Sequence, residues 1–267
     1  MIPLAAPERV LVRAVSAQFD RCLREDEGPI IDVTRARAQH AAYVALLRKI
    51  GLQIEMVAPN DAYPDGCFVE DTAVITGAHA VLTVPGAPSR RGETAEVLPL
   101  LARHCEVHPM GGDARLDGGD VLRVNDQLFV GLSSRTNRAG LEFLSETAKK
   151  DGLRTQGLAL ASGLHLKSLT TLVDATTLVH APSLSGESQA LLRSAGCTLI
   201  EVAEPAGANV LALGETIVVS ASAPLTAELL RAHGKHVVVI DVSELHKADG
   251  ALTCLSLRVP RPGRWCA

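Results

Sequence analysis

Cys254, in Asp249-Gly250-Ala251-Leu252-Thr253-Cys254-Leu255, and His165, in Gly163-Leu164-His165-Leu166-Lys167-Ser168, are the side chains of this 267-residue chain best suited to covalent chemistry. A thiol becomes a nucleophile as the thiolate, and an ordinary cysteine needs a base or a positive charge nearby to ionise at neutral pH. Cys254 follows the turn signal Asp249-Gly250, and His165 stands among apolar residues. Together they offer a nucleophile and a general acid or base. Each also has an ordinary reading: an apolar-flanked cysteine is commonly a small core residue, and a lone imidazole is commonly a hydrogen-bonded core group.

Carboxylates sharpen the chemistry. Asp65, Glu70 and Asp71 cluster in Pro64-Asp65-Gly66-Cys67-Phe68-Val69-Glu70-Asp71, and Asp117 and Asp120 flank two glycines that permit close approach. Around an acyl-transfer site such groups would oppose the developing oxyanion. A guanidinium reverses that logic, because it stays cationic at neutral pH and presents planar N–H forks that match carboxylates. Bound beside Cys254, its charge would also lower the thiol pKa. Arg90 and Arg135 are suited to the carboxylate of an amino-acid substrate, whereas Arg91 and Arg138 read as solvated surface charges. Metal binding competes for the same side chains, with Cys254, His165 and Asp117 as three ligands of a catalytic zinc. The chain has no CxxC pair, so no metal is expected, and no phosphate-binding glycine loop occurs.

For residues so far apart to meet, the chain must return to one place repeatedly, and it carries one pattern several times. A first unit runs from Phe68-Val69-Glu70-Asp71-Thr72-Ala73-Val74-Ile75 through Ala80-Val81-Leu82-Thr83-Val84 to a helix, delayed or kinked by Pro99, and then Cys105-Glu106-Val107. A second opens at Leu116-Asp117-Gly118-Gly119-Asp120-Val121-Leu122, pairs with Gln127-Leu128-Phe129-Val130, and sends a helix from about Thr136 to Lys150 before Gly152. A third opens with a strand at Leu164-His165-Leu166-Lys167-Ser168-Leu169, with Thr177-Leu178-Val179 as partner and a helix stopped at Gly196. A fourth opens at Ala208-Asn209-Val210-Leu211, with Thr216-Ile217-Val218-Val219 as partner and a helix between Pro224 and Gly234.

These openings recur roughly 43 to 48 residues apart. The strand near Cys254 lacks a helix, and the N-terminal segment supplies Val10-Leu11-Val12, a helix ending near Gly51, and Leu52-Gln53-Ile54-Glu55. Joined, they make a fifth unit and close the ring, which removes an open sheet edge. The expected fold is therefore a five-bladed α/β propeller, one domain over residues 1–267, in preference to a doubly wound parallel sheet or another three-layer α/β arrangement. In a ring, equivalent positions of the blades converge on the axis.

The bulk properties are compatible with a small-molecule enzyme. Lys+Arg 26 against Asp+Glu 30, a net charge of -4 and no run of like charges give no footprint for nucleic acid or an anionic membrane. The N-terminus lacks a signal pattern and no apolar stretch reaches spanning length, so a cytoplasmic protein is expected. Cys22, Cys67, Cys105, Cys197, Cys254 and Cys266 are scattered and read as thiols.

At these motifs the sequence resembles the dimethylarginine dimethylaminohydrolases, members of the guanidino-group modifying superfamily with arginine deiminases and amidinotransferases. The likeness covers most of the chain. It rests on Asp32-Val33-Thr34-Arg35-Ala36-Arg37, on Pro64-Asp65 through Asp71, on Pro85-Gly86-Ala87-Pro88-Ser89-Arg90-Arg91 and on Leu116-Asp117-Gly118-Gly119-Asp120-Val121. It rests further on Gly131-Leu132-Ser133 with Arg135-Thr136-Asn137, on Gly163-Leu164-His165-Leu166-Lys167-Ser168, and on Asp249-Gly250 with Leu252-Thr253-Cys254. The Gly-Gly-Asp triplet alone marks only the superfamily; the set is specific.

The resemblance implies a five-bladed α/β propeller and a covalent thiol mechanism without a cofactor. By it, Cys254 is the nucleophile, His165 the general acid and base, and Asp117 the acidic residue that supports them. Glu70 and Asp71 fall at the guanidinium side and Asp65 beside them; Arg90 and Arg135 fall at the amino-acid end, with backbone carbonyl contacts at Leu23 and Ala248. Implied products are citrulline and methylamines from dimethylarginine or monomethylarginine, formed through a thiouronium on Cys254 by a monomer or homodimer. Leu255 stands where some animal relatives have a second cysteine, and residues 21–29, the expected lid, differ in charge. An arginine deiminase, or a hydrolase of another small guanidino compound, would use the same nucleophile and base. A non-catalytic binding module for cationic amino acids is the alternative of a different class.

Overall fold

A computed structural model describes residues 7–26, 28–160 and 163–260. Cys266 and the first six residues lie outside the described residues, as does Glu27 within the expected lid. The first blade begins with β1 (Arg9–Arg13), crosses over through α1 (Val33–Lys49) and returns as β2 (Gln53–Val57), parallel to β1. Parallel strands need such a crossover. The side chain of Asp32 caps α1 by accepting from the Arg35 N–H at 3.0 Å. Ala36, His40, Tyr43, Val44 and Leu47 recur at helical spacing and are buried. Gly51, at φ 99°, ends the helix in the left-handed conformation that favours glycine.

The next four blades repeat one plan, an antiparallel hairpin followed by a helical crossover to a parallel outer strand. The second comprises β3 (Ala73–Ile75), β4 (His79–Leu82), α2 (Leu98–Leu101) and β5 (Glu106–Pro109). Its crossover shows the effect expected of Pro99: a 3-10 segment over Pro88–Thr94 and a single α-turn replace a full helix. The third comprises β6 (Val121–Val124), β7 (Gln127–Leu132), α3 (Arg138–Lys150) and β8 (Arg154–Ala159). The fourth is introduced by α4 (Leu166–Leu169) and comprises β9 (Thr170–Leu172), β10 (Thr177–His180), α5 (Gly186–Ser194) and β11 (Thr198–Glu201). The fifth comprises β12 (Leu211–Leu213), β13 (Thr216–Ser220), α6 (Pro224–Ala232) and β14 (His236–Ile240).

After α7 (Ser243–His246), the chain returns to the first blade. There β15 (Leu257–Val259) pairs antiparallel with β1, with Arg9 opposite Val259 and Leu11 opposite Leu257. The result is five three-stranded sheets, the five-bladed α/β propeller, closed by strands from the two ends of the described chain. Apolar side chains fill the space between sheets and helices and run from blade to blade; Leu158, Leu166, Leu178 and Val219 of three successive blades belong to one cluster. No helix among the described residues is long and apolar enough to cross a membrane.

One regular feature differs from expectation. His165 does not open a strand; it precedes the single turn of α4, and the strand begins only at Thr170. Likewise Glu70 and Asp71 lie on a 3-10 turn, Val69–Thr72, before β3. The same holds at Gly118–Asp120, Pro205–Ala208 and Thr253–Leu255, each one turn before an innermost strand. Near the axis these segments have no neighbouring strand to bond, and they satisfy their backbone locally. Asp120 N–H donates to Asp117 O at 3.0 Å, Ser168 N–H to His165 O at 3.1 Å, and Cys254 N–H to Ala251 O at 3.2 Å.

Below these turns the axis is polar. Glu70 accepts from Lys167 Nζ at 2.6 Å, Arg258 Nη2 at 2.5 Å and Thr253 Oγ1 at 2.8 Å. Asn209 Nδ2 donates to Lys167 O at 2.9 Å and Thr253 Oγ1 at 3.0 Å, and its Oδ1 accepts from the Thr253 N–H at 3.1 Å. Four blades are thereby joined at their inner ends by buried, mutually satisfied groups.

Candidate active site

A cavity of about 220 Å³ opens at the inner ends of the blades, with Asp71, His165 and Cys254 among its lining. His165 is 4 % exposed and Asp117 fully buried. The imidazole Nε2 lies 3.0 Å from Asp117 Oδ2 and 4.0 Å from Asp71 Oδ1. Asp117 is itself fixed: Oδ1 accepts from the Gly86 N–H at 2.8 Å, and its own N–H donates to Thr136 Oγ1 at 3.1 Å. Asp120 ties the turn after His165 to the neighbouring blade, accepting from the Leu166 N–H at 2.9 Å and Ser133 Oγ at 2.7 Å.

The glycine pair between the two aspartates is a matter of space. A Cβ on Gly118 would lie 2.0 Å from the Glu70 carbonyl oxygen, and one on Gly119 would lie 2.6 Å from His165 Nδ1. Lacking that atom, Gly119 packs under the imidazole and donates its N–H to Asp71 Oδ1 at 2.9 Å. Close backbone approach places the three ionisable groups around one point.

Their charges are mutually dependent. Burial would raise the Asp71 carboxyl, but the His165 charge and the Arg90 guanidinium, bonded at 2.6 Å, bring it down to about 2. Burial would lower the His165 imidazolium, yet the Asp71 charge, the Asp117 hydrogen bond and the Asp120 charge push it up to about 9. Cys254 keeps a partly exposed surface toward the cavity, but packing around the thiol and the charges of Glu70 and Asp71 push it up to about 12. At neutral pH the empty site therefore holds a neutral thiol, an imidazolium and a carboxylate.

Asp65, Leu23, Arg135 and Ala248 also line the cavity. Asp65 accepts from the Leu23 N–H at 3.1 Å and anchors the N-terminal loop over the site. A second tie joins that loop to the cavity wall, where the Glu25 N–H donates to Asp249 Oδ2 at 2.7 Å. Arg135 lines the cavity and makes no ion pair among the described residues, so its fork is available.

Two residues stand differently from expectation. Glu70 does not line this cavity. Successive residues on a 3-10 turn point about 120° apart, so with Asp71 facing the cavity, Glu70 faces the axis and its Lys167 and Arg258 partners. It acts on the cavity through its charge, as the Cys254 thiol registers.

Arg90, expected to clasp a carboxylate, does line the cavity, but it is 5 % exposed and most of its donors are already engaged. Its Nη1 meets Asp71 Oδ2 at 2.6 Å, Nη2 donates to Phe68 O at 2.9 Å and Glu93 Oε2 at 2.8 Å, and Nε donates to Glu93 Oε1 at 3.0 Å. One Nη1 hydrogen is left over from this arrangement.

Glu93 and Lys167 were not singled out by residue type and spacing, and Asp120 was noted only as flanking the glycine pair. For Glu93 a local signal existed, since it stands three residues after Arg90 and the pair is bidentate and buried. For Lys167 the signal was its place among leucines, which implies a buried counter-charge.

Comparison with known proteins identifies relatives over most of the chain. A family model described as "N,N dimethylarginine dimethylhydrolase, eukaryotic" matches residues 6–160. The N(G),N(G)-dimethylarginine dimethylaminohydrolase of Streptomyces coelicolor is 38% identical over 243 residues, covering 87% of this chain and 92% of that one. The enzyme of the same name from Pseudomonas aeruginosa is 32% identical over 231 residues, covering 85% and 89%. A solved structure of DDAH from Pseudomonas aeruginosa, a cysteine-to-serine mutant complexed with citrulline, aligns with a TM-score of 0.88 at 28% identity over 95% of this chain and 99% of that one.

Proposed function

The chain belongs to the dimethylarginine dimethylaminohydrolase family, and from that premise we propose that it hydrolyses dimethylarginine and monomethylarginine to citrulline and a methylamine through an adduct on Cys254. The observation that carries this reading is the convergence of Cys254, the His165–Asp117 pair and Asp71 on one small cavity, with the uncommitted Arg135 at its wall. The cavity lining thus offers carboxylates for a cationic tail and a guanidinium for a carboxylate, the two kinds of group that a zwitterionic amino acid with a cationic tail requires. The citrulline bound to the related mutant is consistent with it.

In this reading Asp71 orients the guanidinium, and Arg90, clamped by Glu93, holds Asp71 in place while its spare Nη1 hydrogen faces the substrate. Asp65 and the carbonyls of Leu23 and Ala248 receive the α-amino end, and Arg135 the carboxylate. Glu70 contributes from behind, as a fixed negative charge. Binding of the cation lowers the thiol pKa, and the thiol proton is released to solvent. The Cys254 thiolate then forms a C–S bond to the guanidinium carbon, whose C=N electron pair moves onto nitrogen and gives a neutral tetrahedral adduct.

The His165 imidazolium, kept charged by Asp71 and Asp117, gives its proton to the methylated nitrogen. The C–N bond breaks, the amine departs and a cationic thiouronium remains. Neutral His165 takes a proton from water as the oxygen adds to that carbon. The C–S bond then breaks, the thiolate is regenerated and citrulline is released with one proton. No oxyanion forms in the first attack, so a carboxylate at this position helps by orientation. The reading takes residues 1–267 as one catalytic domain working in the cytoplasm without a cofactor, as a monomer or homodimer.

Turnover of dimethylarginine, monomethylarginine, arginine and agmatine, measured side by side, tests the substrate. Dimethylarginine should give the highest kcat/KM; preference for arginine would overturn the substrate and leave the chemistry. For the covalent step, acid quenching during turnover should trap a mass increase on Cys254, and normal citrulline formation by Cys254→Ser would exclude it.

A further inference from the structure

Away from the cavity, at the other end of β4 from Asp71, we propose a site for a divalent first-row transition ion of the zinc type, formed by His79, Glu106 and His108. The strands supply the arrangement. β4 and β5 are parallel with His79 opposite Glu106, and His108, two residues further on, shares the face of Glu106. His79 Nδ1 and His108 Nε2 lie 3.2 Å apart, His108 Nε2 is 3.4 Å from Glu106 Oε1, and His79 Nδ1 is 3.7 Å from Glu106 Oε2.

Ligands bound tetrahedrally at about 2.0–2.1 Å from zinc stand about 3.3–3.4 Å from one another; the two imidazole nitrogens are already near that spacing, and the Glu106 carboxylate presents one oxygen to each of them. Two imidazoles and one carboxylate with a fourth position left to water make a borderline-soft ligand set that suits zinc, cobalt or nickel and disfavours calcium or magnesium.

The site is supported from behind. Asp151, capping α3, accepts from the His79 N–H at 3.2 Å, Thr76 Oγ1 at 2.6 Å and the Ala78 N–H at 3.1 Å, which fixes the turn that carries His79. The histidines are about one-fifth exposed, at 19 % and 20 %, and Glu106 reaches solvent, so an ion has access. One side chain competes. Lys150 Nζ lies 3.5 Å from His108 Nε2 and addresses the lone pair the metal would take. It is exposed and long enough to swing away.

The sequence spacing alone misdirects. His104 stands four residues before His108, as in helical zinc motifs, but it precedes the strand and bonds Glu55 Oε1 at 2.7 Å. The Cys105 thiol turns to Leu101 O at 3.5 Å and is not a ligand. Bound metal would clip the outer strand β5 to β4 without touching the catalytic groups.

The test is titration of the Cys254→Ser chain with Co²⁺ and Zn²⁺, which removes the active-site thiol as a ligand. One equivalent of Co²⁺ should produce visible d–d bands, and Zn²⁺ should displace it. His79→Gln and His108→Gln should each weaken binding by at least the roughly 10–100-fold that even an outer-shell partner is worth. Lys150→Met should tighten it several-fold, a result that adventitious binding to surface histidines does not give. In the chain with Cys254 intact, His79→Gln should leave turnover unchanged. Absence of saturable binding, or binding indifferent to both histidine substitutions with the circular dichroism of the folded chain retained, overturns the assignment.

Discussion

Gly119 shows how far a single residue sets the chemistry. With an added Cβ only 2.6 Å from His165 Nδ1, Gly119→Ala must displace either the imidazole or the turn. A shift of about 1 Å at reacting groups costs on the order of 100-fold in rate, so kcat should fall by about that factor while circular dichroism stays that of the folded chain. The thiol gives a second measurement at this scale. With Cys254 pushed up to about 12, its alkylation by neutral iodoacetamide should be slow at pH 7 and rise steadily to high pH, whereas a cationic haloacetamidine should react faster at pH 7. A plateau in the iodoacetamide rate below pH 9 would contradict the neutral thiol. In the proposed mechanism the thiol loses a proton while His165 keeps its own, so kcat/KM should rise with pH up to about 9, where the imidazolium begins to titrate, and level off above it. Residue types and spacing brought out the thiol, the imidazole and the carboxylates. They did not reveal that Arg90 spends its fork on Asp71 and Glu93, because only the fold shows which charges a buried arginine meets.

At the scale of elements, the repeated strands and glycine-stopped helices were legible because hydrophobic period and stop signals are local. Helix α3 is an instance: expected from about Thr136, it begins at Arg138 because Asn137 caps it, accepting from the Gly140 N–H at 2.8 Å. The same side chain accepts from the Arg115 N–H at 3.0 Å and donates to Asp113 O at 2.8 Å. Asn137→Ala should therefore cost about 1–2 kcal/mol, read as a lower urea midpoint at unchanged m-value. The single turns before the inner strands were not legible. A segment such as Gly118-Gly119-Asp120 is too short for any period and has little helical propensity; it turns because no strand lies beside it. Glu70 follows from this, since on a strand and on a 3-10 turn the side chain next to Asp71 points in different directions. The pairing of His79 with Glu106 depended on a register between strands 27 residues apart, which no local pattern specifies.

For the whole molecule, the polar axis sets both stability and reactivity. Glu70→Ala would leave Lys167 and Arg258, with side chains 11 % and 12 % exposed, without their shared carboxylate. Breaking such a buried arrangement costs roughly 3–5 kcal/mol, and partial exposure together with the remaining Arg258 partners places this case at the lower end. The same substitution removes a negative charge that raises the Cys254 thiol, so alkylation by iodoacetamide should become faster as unfolding becomes easier. A purely structural role for Glu70 would lower the unfolding midpoint and leave the alkylation rate of the folded chain unchanged.

The pairing of β15 with β1 has a consequence for how the protein comes into being on the ribosome. The thiol at Cys254 and the closing strand at Leu257–Val259 are translated almost together, after the four middle blades and long after β1. Until they emerge, β1 lacks the antiparallel partner that closes the ring, and the imidazole and carboxylates are already made without the thiol. Pairing of β15 with β1 closes the ring directly after the turn that holds the thiol. A chain released before Leu257 would keep its sulfur and lose its latch, so reactivity toward a guanidine reports on completed closure as much as on chemistry.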